Sequence, residues 1–379
     1  MQLPPLGLYI HLPWCERKCP YCDFNSHEAR DIPEQAYVEA LLADLDSDLP
    51  LAADRRVDTL FIGGGTPSLF SAAAITRLLA GIAARLPLSP QLEATMEANP
   101  GSAEAEKFAG FRAAGINRLS LGVQSFHDHC LQALGRVHDA AQARAAIGMA
   151  KAAGFSRFNL DLMHGLPGQT AQDALADLQQ AIDCAAPHLS WYQLTIEPNT
   201  VFHKHPPTLP VEDELAEIQH QGEQLLAAAG YRQYEVSAYG RNRDQCRHNL
   251  NYWRFGDYLG IGAGAHGKIT LADGGVRRYA KTRRPADYLA AAGAARTQVR
   301  DITREELVGE FAMNALRLNA GFDLALFEAR TGLTASALQP QLDDLVAREL
   351  LQVEDGSVSA SDLGRRFLDA VIAEFLPPP

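Results

Sequence analysis

Strand-like runs at Gly7–His11, Asp58–Ile62, Leu92–Glu97, Arg118–Val123, Arg157–Met163 and Ser190–Ile196 alternate with stretches of helical period. Six strand–helix units in a row imply an α/β fold with a parallel sheet, open or curved into a partial (β/α)6 barrel. In the stretch Asp31–Leu49, Tyr37, Leu41 and Leu45 recur every four residues. Asp31 is placed to cap that helix, with Glu34 three residues on. Ala140–Ala153 is alanine-rich and closed by Gly154; Gly81, Gly115 and Gly230 stand at the ends of similar stretches, as C-terminal caps do. Ligands of such sheets bind at the carboxyl ends of the strands, so the residues after each run are the candidates for function.

The pattern changes near residue 240. This suggests a division into 1–240, a connecting segment 241–300, and a C-terminal domain 301–379. The stretch Arg241–Lys281 reads as a loop rich in Arg, Asn, Gly and aromatics. Helices are expected at Arg304–Leu318 and Ala335–Arg348, a hairpin at Leu350–Ser359 around Glu354-Asp355-Gly356, and a last helix over Asp362–Leu376. That order is winged-helix-like, a shape often used on DNA. Yet 301–379 holds six Arg, no Lys and fourteen acidic residues, 6 − 14 = −8, and the whole chain carries −12. Phosphate neutralisation needs the opposite balance, so nucleic acid is not expected as a partner.

Three of the six cysteines, Cys15, Cys19 and Cys22, fall within eight residues directly after the first strand. The start of the chain, MQLPPLGLYIHLPWC, has no basic segment or small-residue cleavage site, which leads us to expect a reducing cytoplasmic compartment. There, clustered thiols serve as metal ligands or catalysts more often than as disulfides. A structural zinc site wants four ligands, usually in paired CxxC runs, and no second pair follows. Three thiolates can instead hold three irons of a [4Fe-4S] cluster and leave the fourth open to a small ligand. Cys130, Cys184 and Cys246 are expected to be buried or incidental, although Cys246 lies two residues before His248.

Cys15-x3-Cys19-x2-Cys22 resembles the signature of the radical S-adenosylmethionine (SAM) superfamily, in which the loop after strand one of a partial barrel carries the cluster and SAM chelates the open iron. Tyr21 before the last cysteine fits that signature. Gly63-Gly64-Gly65-Thr66-Pro67 is similar to the superfamily's glycine motif, which meets the SAM amino group; glycines there permit close backbone approach. The resemblance is closer to one family within it, that of oxygen-independent coproporphyrinogen III oxidase. It rests on YIHLPWC (9–15), FIGGGTPS (61–68), EANPGS (97–102), GINRLSLGVQSF (115–126), LGRVH (134–138), NLDLMHGLPGQT (159–170) and CRHNLNYW (246–253). It implies cluster ligation by Cys15, Cys19 and Cys22. It also implies SAM contacts from Tyr9, Tyr21, Gly64, Gly65, Thr66, Glu97, Gln124, Arg136 and Asp161.

Two departures separate the branches of that family. The decarboxylating branch has a further cysteine two places after the last cluster cysteine, where this chain has Phe24, and a longer segment before the cluster than the fourteen residues here. Both departures are similar to the heme-chaperone branch. The motif His248-Asn249-Leu250-Asn251-Tyr252-Trp253 resembles one implicated there in heme binding. An imidazole can ligate heme iron and aromatic faces can flank a porphyrin, although taken alone the motif reads equally as core packing. The expected function is thus a heme chaperone that binds heme and passes it to recipient heme proteins, with a [4Fe-4S] cluster, SAM and a reductant. The rival is radical decarboxylation of coproporphyrinogen III propionates. The basic run Arg277, Arg278, Lys281, Arg283 and Arg284 suggests heme propionates, an anionic membrane surface or a partner. A solvated loop is the plainer reading, and a homodimer is a further expectation.

Overall fold

A computed structural model of the chain describes residues 3–101, 105–291 and 293–377; Ser102, which ends one of the motifs above, and Pro378 and Pro379 lie outside them. Strands β1 (Leu6–Leu12), β2 (Val57–Gly64), β3 (Leu88–Ala98), β4 (Arg118–Gln124), β5 (Phe158–His164) and β6 (His188–Gln193) lie side by side in that order, all parallel. The sixth stops at Gln193 rather than Ile196. Leu8, Ile10 and Leu12 on one face of β1 and Gly7 and His11 on the other are all buried, the two-sided burial of a strand covered by helices.

The longer helices between them are α1 (Glu34–Ala52), α2 (Ala72–Ala83), α3 (Phe108–Ala114), α4 (Ala140–Ala152) and α5 (Ala171–Asp183), with a short turn of helix at Asp128–Ala133. Asp139 and Gln142 cap α4 reciprocally, as Thr170 and Asp173 cap α5. Asp31 does not cap α1, which begins behind Pro33. The Glu34 carboxylate instead accepts from the backbone N–H and hydroxyl of Ser71, the N-cap of α2, at 2.7 and 2.5 Å. Gly81 is not a cap either. It lies inside α2, where a Cβ would come within 2.6 Å of Leu42 of α1, so its absence lets the two helices close up.

Most of the expected loop over 241–281 is ordered secondary structure. After α6 (Glu212–Ala228) and the antiparallel edge strands β7 (Arg232–Glu235) and β8 (Ala238–Gly240) comes the short helix α7 (Arg247–Trp253). Strands β9 (Asp257–Ile261), β10 (His266–Thr270), β11 (Val276–Lys281) and β12 (Arg296–Ile302) follow. Strand β9 pairs in parallel with β1, Leu8 opposite Leu259, and β10 to β12 extend the sheet antiparallel to a total of twelve strands. The segment 241–300 therefore completes the main sheet as well as connecting its neighbours. Its short strands, with Gly260 inside β9 and Gly262 and Gly264 in the turn before β10, hide their period from a sequence reading.

Buried ion pairs fasten this addition to α1. Lys281 is fully buried, with Nζ 2.5 Å from Asp44 and 2.7 Å from Asp48. Asp257 of β9 accepts from Lys268 of β10 at 2.9 Å, within the addition, and from Arg55, three residues past the end of α1, at 2.6 Å.

The C-terminal region has a core of its own around Phe311, whose ring meets Phe322 at 4.9 Å and Phe327 at 5.1 Å. It contains α8 (Arg304–Ala315), α9 (Leu324–Thr331), α10 (Gln341–Ala347) and a three-stranded sheet. That sheet is β13 (Phe322–Asp323), β14 (Leu351–Glu354) and β15 (Ser357–Ala360), with β15 in the middle. This is the winged-helix-like order with α9 added. The expected helix over 335–348 is split at Pro340, and the last one breaks at Phe367.

Candidate functional site

The carboxyl ends of the parallel strands build the site. At the end of β2, Gly64 has φ 114°, and a Cβ on it would fall 2.5 Å from the His11 ring. A Cβ on Gly65 would strike the Trp14 backbone at 2.5 Å. Only glycine permits both approaches, and they press the turn against the cysteine loop. The turn is pinned there by Gly65 N–H to the Leu12 carbonyl at 2.8 Å and Thr66 N–H to that of Trp14 at 2.7 Å.

A chain of polar contacts then runs from thiol to thiol. The Thr66 hydroxyl donates to Cys15 Sγ at 3.5 Å and accepts from the Asn99 amide at 3.2 Å. Arg136 donates to the Asn99 oxygen at 2.7 Å, to the Gly122 carbonyl at 2.9 Å and to Cys19 Sγ at 3.5 Å. Cys22 Sγ lies 3.8 Å from the Ser26 hydroxyl. Burial pushes the Cys15 and Cys22 thiols up, so a metal must displace their protons to bind. Among the described residues no three His, Cys, Asp or Glu side chains converge on a single ion. The three thiols instead line a common cavity, compatible with a cluster that takes one thiolate per iron.

That cavity, of about 360 Å³, is lined by Cys15, Cys19, Cys22, Tyr21, Gly64, Gly65, Thr66, Glu97, Gln124, Arg136 and Asp161. Eleven of the thirteen residues singled out in the sequence thus meet in one space. Glu97 accepts from Gly64 N–H at 3.1 Å, and burial with the nearby Asp161 charge pushes its carboxyl up to about 7. Burial also raises Asp161, against hydrogen bonds from Ser120 at 3.0 Å and Asn159 at 2.8 Å. Gln124 has φ 68°, in the left-handed region, and its side-chain oxygen accepts from Tyr192 at 3.0 Å.

Three donors on lining residues, Arg136 Nε, Trp253 Nε1 and Arg317 Nε, are buried without a partner among the described residues. Orphaned donors beside acidic Glu97 and Asp161 suit a ligand that carries carboxylate, ammonium and hydroxyl groups together. SAM is such a ligand. The donor set therefore fits both the cluster and SAM.

Two expected residues stand elsewhere. Tyr9 faces a neighbouring cavity, and its hydroxyl donates to His11 Nδ1 at 2.9 Å. His248 lines neither cavity. Its Nδ1 is 2.9 Å from the Thr59 hydroxyl and its Nε2 is 2.8 Å from that of Tyr252, while its ring stacks on Phe61. Burial pushes it down to about 3. Both ring nitrogens are occupied, so this arrangement offers no lone pair to an iron, and the expected heme ligand is here a core histidine. The rest of its motif does reach the cavities: Asn249 and Trp253 line the first, and Tyr252 the second.

Sequence reading missed Tyr192, Glu235 and Arg317. Alternation along β6 could have signalled Tyr192, which follows buried Trp191. Nothing local signals the ion pair of Arg317 with Glu235, 3.3 Å long across eighty-two residues of chain.

The basic run is mostly neutralised within the fold. Arg277 pairs with Asp301 at 2.6 Å, Arg278 with Glu310 at 2.5 Å, Lys281 with Asp44 and Asp48, and Arg284 with Asp287 at 3.7 Å. Arg283 has no carboxylate partner among the described residues. No described helix is long and apolar enough to cross a membrane.

The Radical SAM superfamily profile matches residues 9–181, and that of the HemN C-terminal domain matches residues 302–367. The heme chaperone HemW of Escherichia coli K12 is 51% identical over 377 residues, covering 99% of each chain. The chain belongs to the HemW family. The HemW of Haemophilus influenzae is 50% identical over 380 residues, again covering 99% of both chains. Among solved structures, the radical SAM enzyme coproporphyrinogen III oxidase (HemN) of E. coli matches with TM-score 0.83. It covers 98% of this chain and 90% of its own at 24% identity. That likeness establishes the shared fold. Membership of the family brings with it the radical SAM [4Fe-4S] cluster and SAM as cofactors.

Proposed function

We propose that this protein is a heme chaperone on a radical SAM scaffold, binding heme and handing it to recipient heme proteins. The observation that carries the reading is the end-to-end likeness, at half of all positions, to relatives named heme chaperones. Exposed Phe24 beside the cluster loop supports it, since no thiol stands there to serve a decarboxylase.

Cys15, Cys19 and Cys22 would each hold one iron. Gly64, Gly65 and Thr66 would leave room for SAM beside the cluster, Glu97 would accept from its amino group, and Arg136, Gln124 and Asp161 would hold its carboxylate and ribose hydroxyls. Tyr9 would act from the adjoining cavity, which shares Gly64 and Glu97 with the first. When bound, the cluster and SAM supply one-electron radical chemistry drawn from a reductant. Residues 1–240 would carry the cofactors, 241–300 close the sheet and contribute the aromatic motif, and 301–379 cover the site through Arg317.

The test is anaerobic. Reconstituted protein loaded with heme is mixed with an apo heme protein, and separately given coproporphyrinogen III, SAM and reductant. Heme transfer without protoporphyrinogen IX is expected. Clear formation of protoporphyrinogen IX would overturn the chaperone reading in favour of the decarboxylase.

A further inference from the structure

A second cavity, of about 560 Å³, adjoins the first and shares Gly64, Glu97 and Phe24 with it. Its size lies within the range of roughly 300–1,000 Å³ usual for small-molecule sites. Apolar faces border it: the Phe24 ring is 63% exposed, and Tyr252 and Tyr258 stand edge to face at 4.5 Å. An exposed phenylalanine at the junction of two cavities contributes nothing to the core and is suited to covering a flat apolar ligand.

Two histidines line this space. His11 is spoken for: its Nε2 donates to the Asn25 carbonyl at 2.9 Å, which leaves Nδ1 to accept from Tyr9. His266 opens β10, is exposed, and makes no side-chain hydrogen bond or ion pair among the described residues. Partial burial, with the charges of Arg278 and Arg283, lowers its pKa, which keeps the ring in the neutral form that metals bind. Arg283, the one member of the basic run without a carboxylate partner among the described residues, lines the same cavity.

We propose that heme is carried in this second cavity, with His266 as the axial iron ligand, Phe24 and the Tyr252–Tyr258 pair flanking the porphyrin, and Arg283 meeting a propionate. The assignment rests on the chaperone reading and moves the iron ligand from buried His248 to a histidine with open ring nitrogens. Ligation forms one iron–nitrogen bond from the imidazole lone pair and needs no redox step.

The experiment titrates hemin into the reconstituted protein and its variants, following the Soret band and the electron paramagnetic resonance of the ferric iron. His266→Ala should lose the histidine-ligated signature and bind on the order of tenfold more weakly, about 1.4 kcal/mol. Added imidazole should restore the signature, while circular dichroism and the cluster absorption stay as in the parent. His248→Gln, which keeps a hydrogen-bonding side chain in the core, should retain the ligated spectrum. A spectrum and affinity unchanged in His266→Ala, or lost only in His248→Gln, would overturn the assignment and leave the chaperone reading standing. Failure of the parent protein to bind hemin would overturn both.

Discussion

Glu97 joins the glycine turn to the cofactor cavity, and its charge state follows from where it sits. In the folded chain its carboxyl is pushed up to about 7 from 4.5, chiefly by burial. Between those values the folded protein holds a proton that the unfolded chain has released. Stability therefore falls as pH rises through that window and levels off above it. Glu97→Gln removes this contribution, so the melting temperature of the SAM-free variant should decline less than the parent's between pH 4.5 and 7. Parallel curves for the two proteins would refute the assignment. An amine that ligates iron is neutral and donates an N–H hydrogen bond to Glu97, which favours the carboxylate. SAM binding just below pH 7 should then release a proton from Glu97 besides the one lost by the amine, so calorimetry in buffers of different ionisation heat should record a smaller release in Glu97→Gln. The thiols make a simpler prediction: Cys15→Ser, Cys19→Ser and Cys22→Ser should each lose the brown iron–sulfur absorption, and an intact four-iron spectrum in all three would remove them as ligands.

At the scale of elements, the parallel strands were legible because each is a short apolar run followed by a glycine or polar residue where ligands bind. That most of the residues expected around the cofactors line one cavity follows from the same cause, since successive strand ends meet in space. What could not be read lies where partners are remote. Lys281 sits in a run that looks like a solvated basic loop, yet it is buried on Asp44 and Asp48, more than two hundred residues earlier. His248 resembles a ligand in its motif, and only the strand packing reveals that Thr59 and Tyr252 occupy its nitrogens. The Lys281 cluster yields a quantitative expectation. Lys281→Ala leaves two buried carboxylates without their ammonium, with Tyr288, the Gly262 N–H and Arg296 among the remaining partners. Breaking a buried pair in this way costs about 3–5 kcal/mol. Urea denaturation should show a loss of that order. A loss under 1 kcal/mol, the size associated with exposed pairs, would mean that the network does not hold β11 to α1.

For the whole molecule, the change of pattern near residue 240 looked like a domain boundary, but the chain uses its later strands to finish the sheet. Strand β9 lies against β1, the strand that leads into the cysteine loop, with Gly260 opposite Tyr9 and Ile261 opposite Ile10. A chain ending at residue 240 would leave β1 as an unpaired edge of apolar Leu8, Ile10 and Leu12, the kind of edge that templates aggregation. It would also strand Asp44 and Asp48 in the core without Lys281 and Arg296, and remove Trp253 and Arg317 from the cavity wall. The matched Radical SAM segment, residues 9–181, is thus shorter than the unit expected to fold. Expressed alone, residues 1–240 should be insoluble or aggregated and unable to take up a cluster on reconstitution. Residues 1–302 restore β9 to β12 and the Lys281 cluster, so they should be markedly more soluble. The apolar side chains of Phe255, Val276 and Ile302, which pack in the C-terminal core, would still be exposed. Size-exclusion chromatography of the two fragments decides the matter: a monodisperse 1–240 that binds iron and sulfide would show that the later strands are an attachment to a self-sufficient barrel.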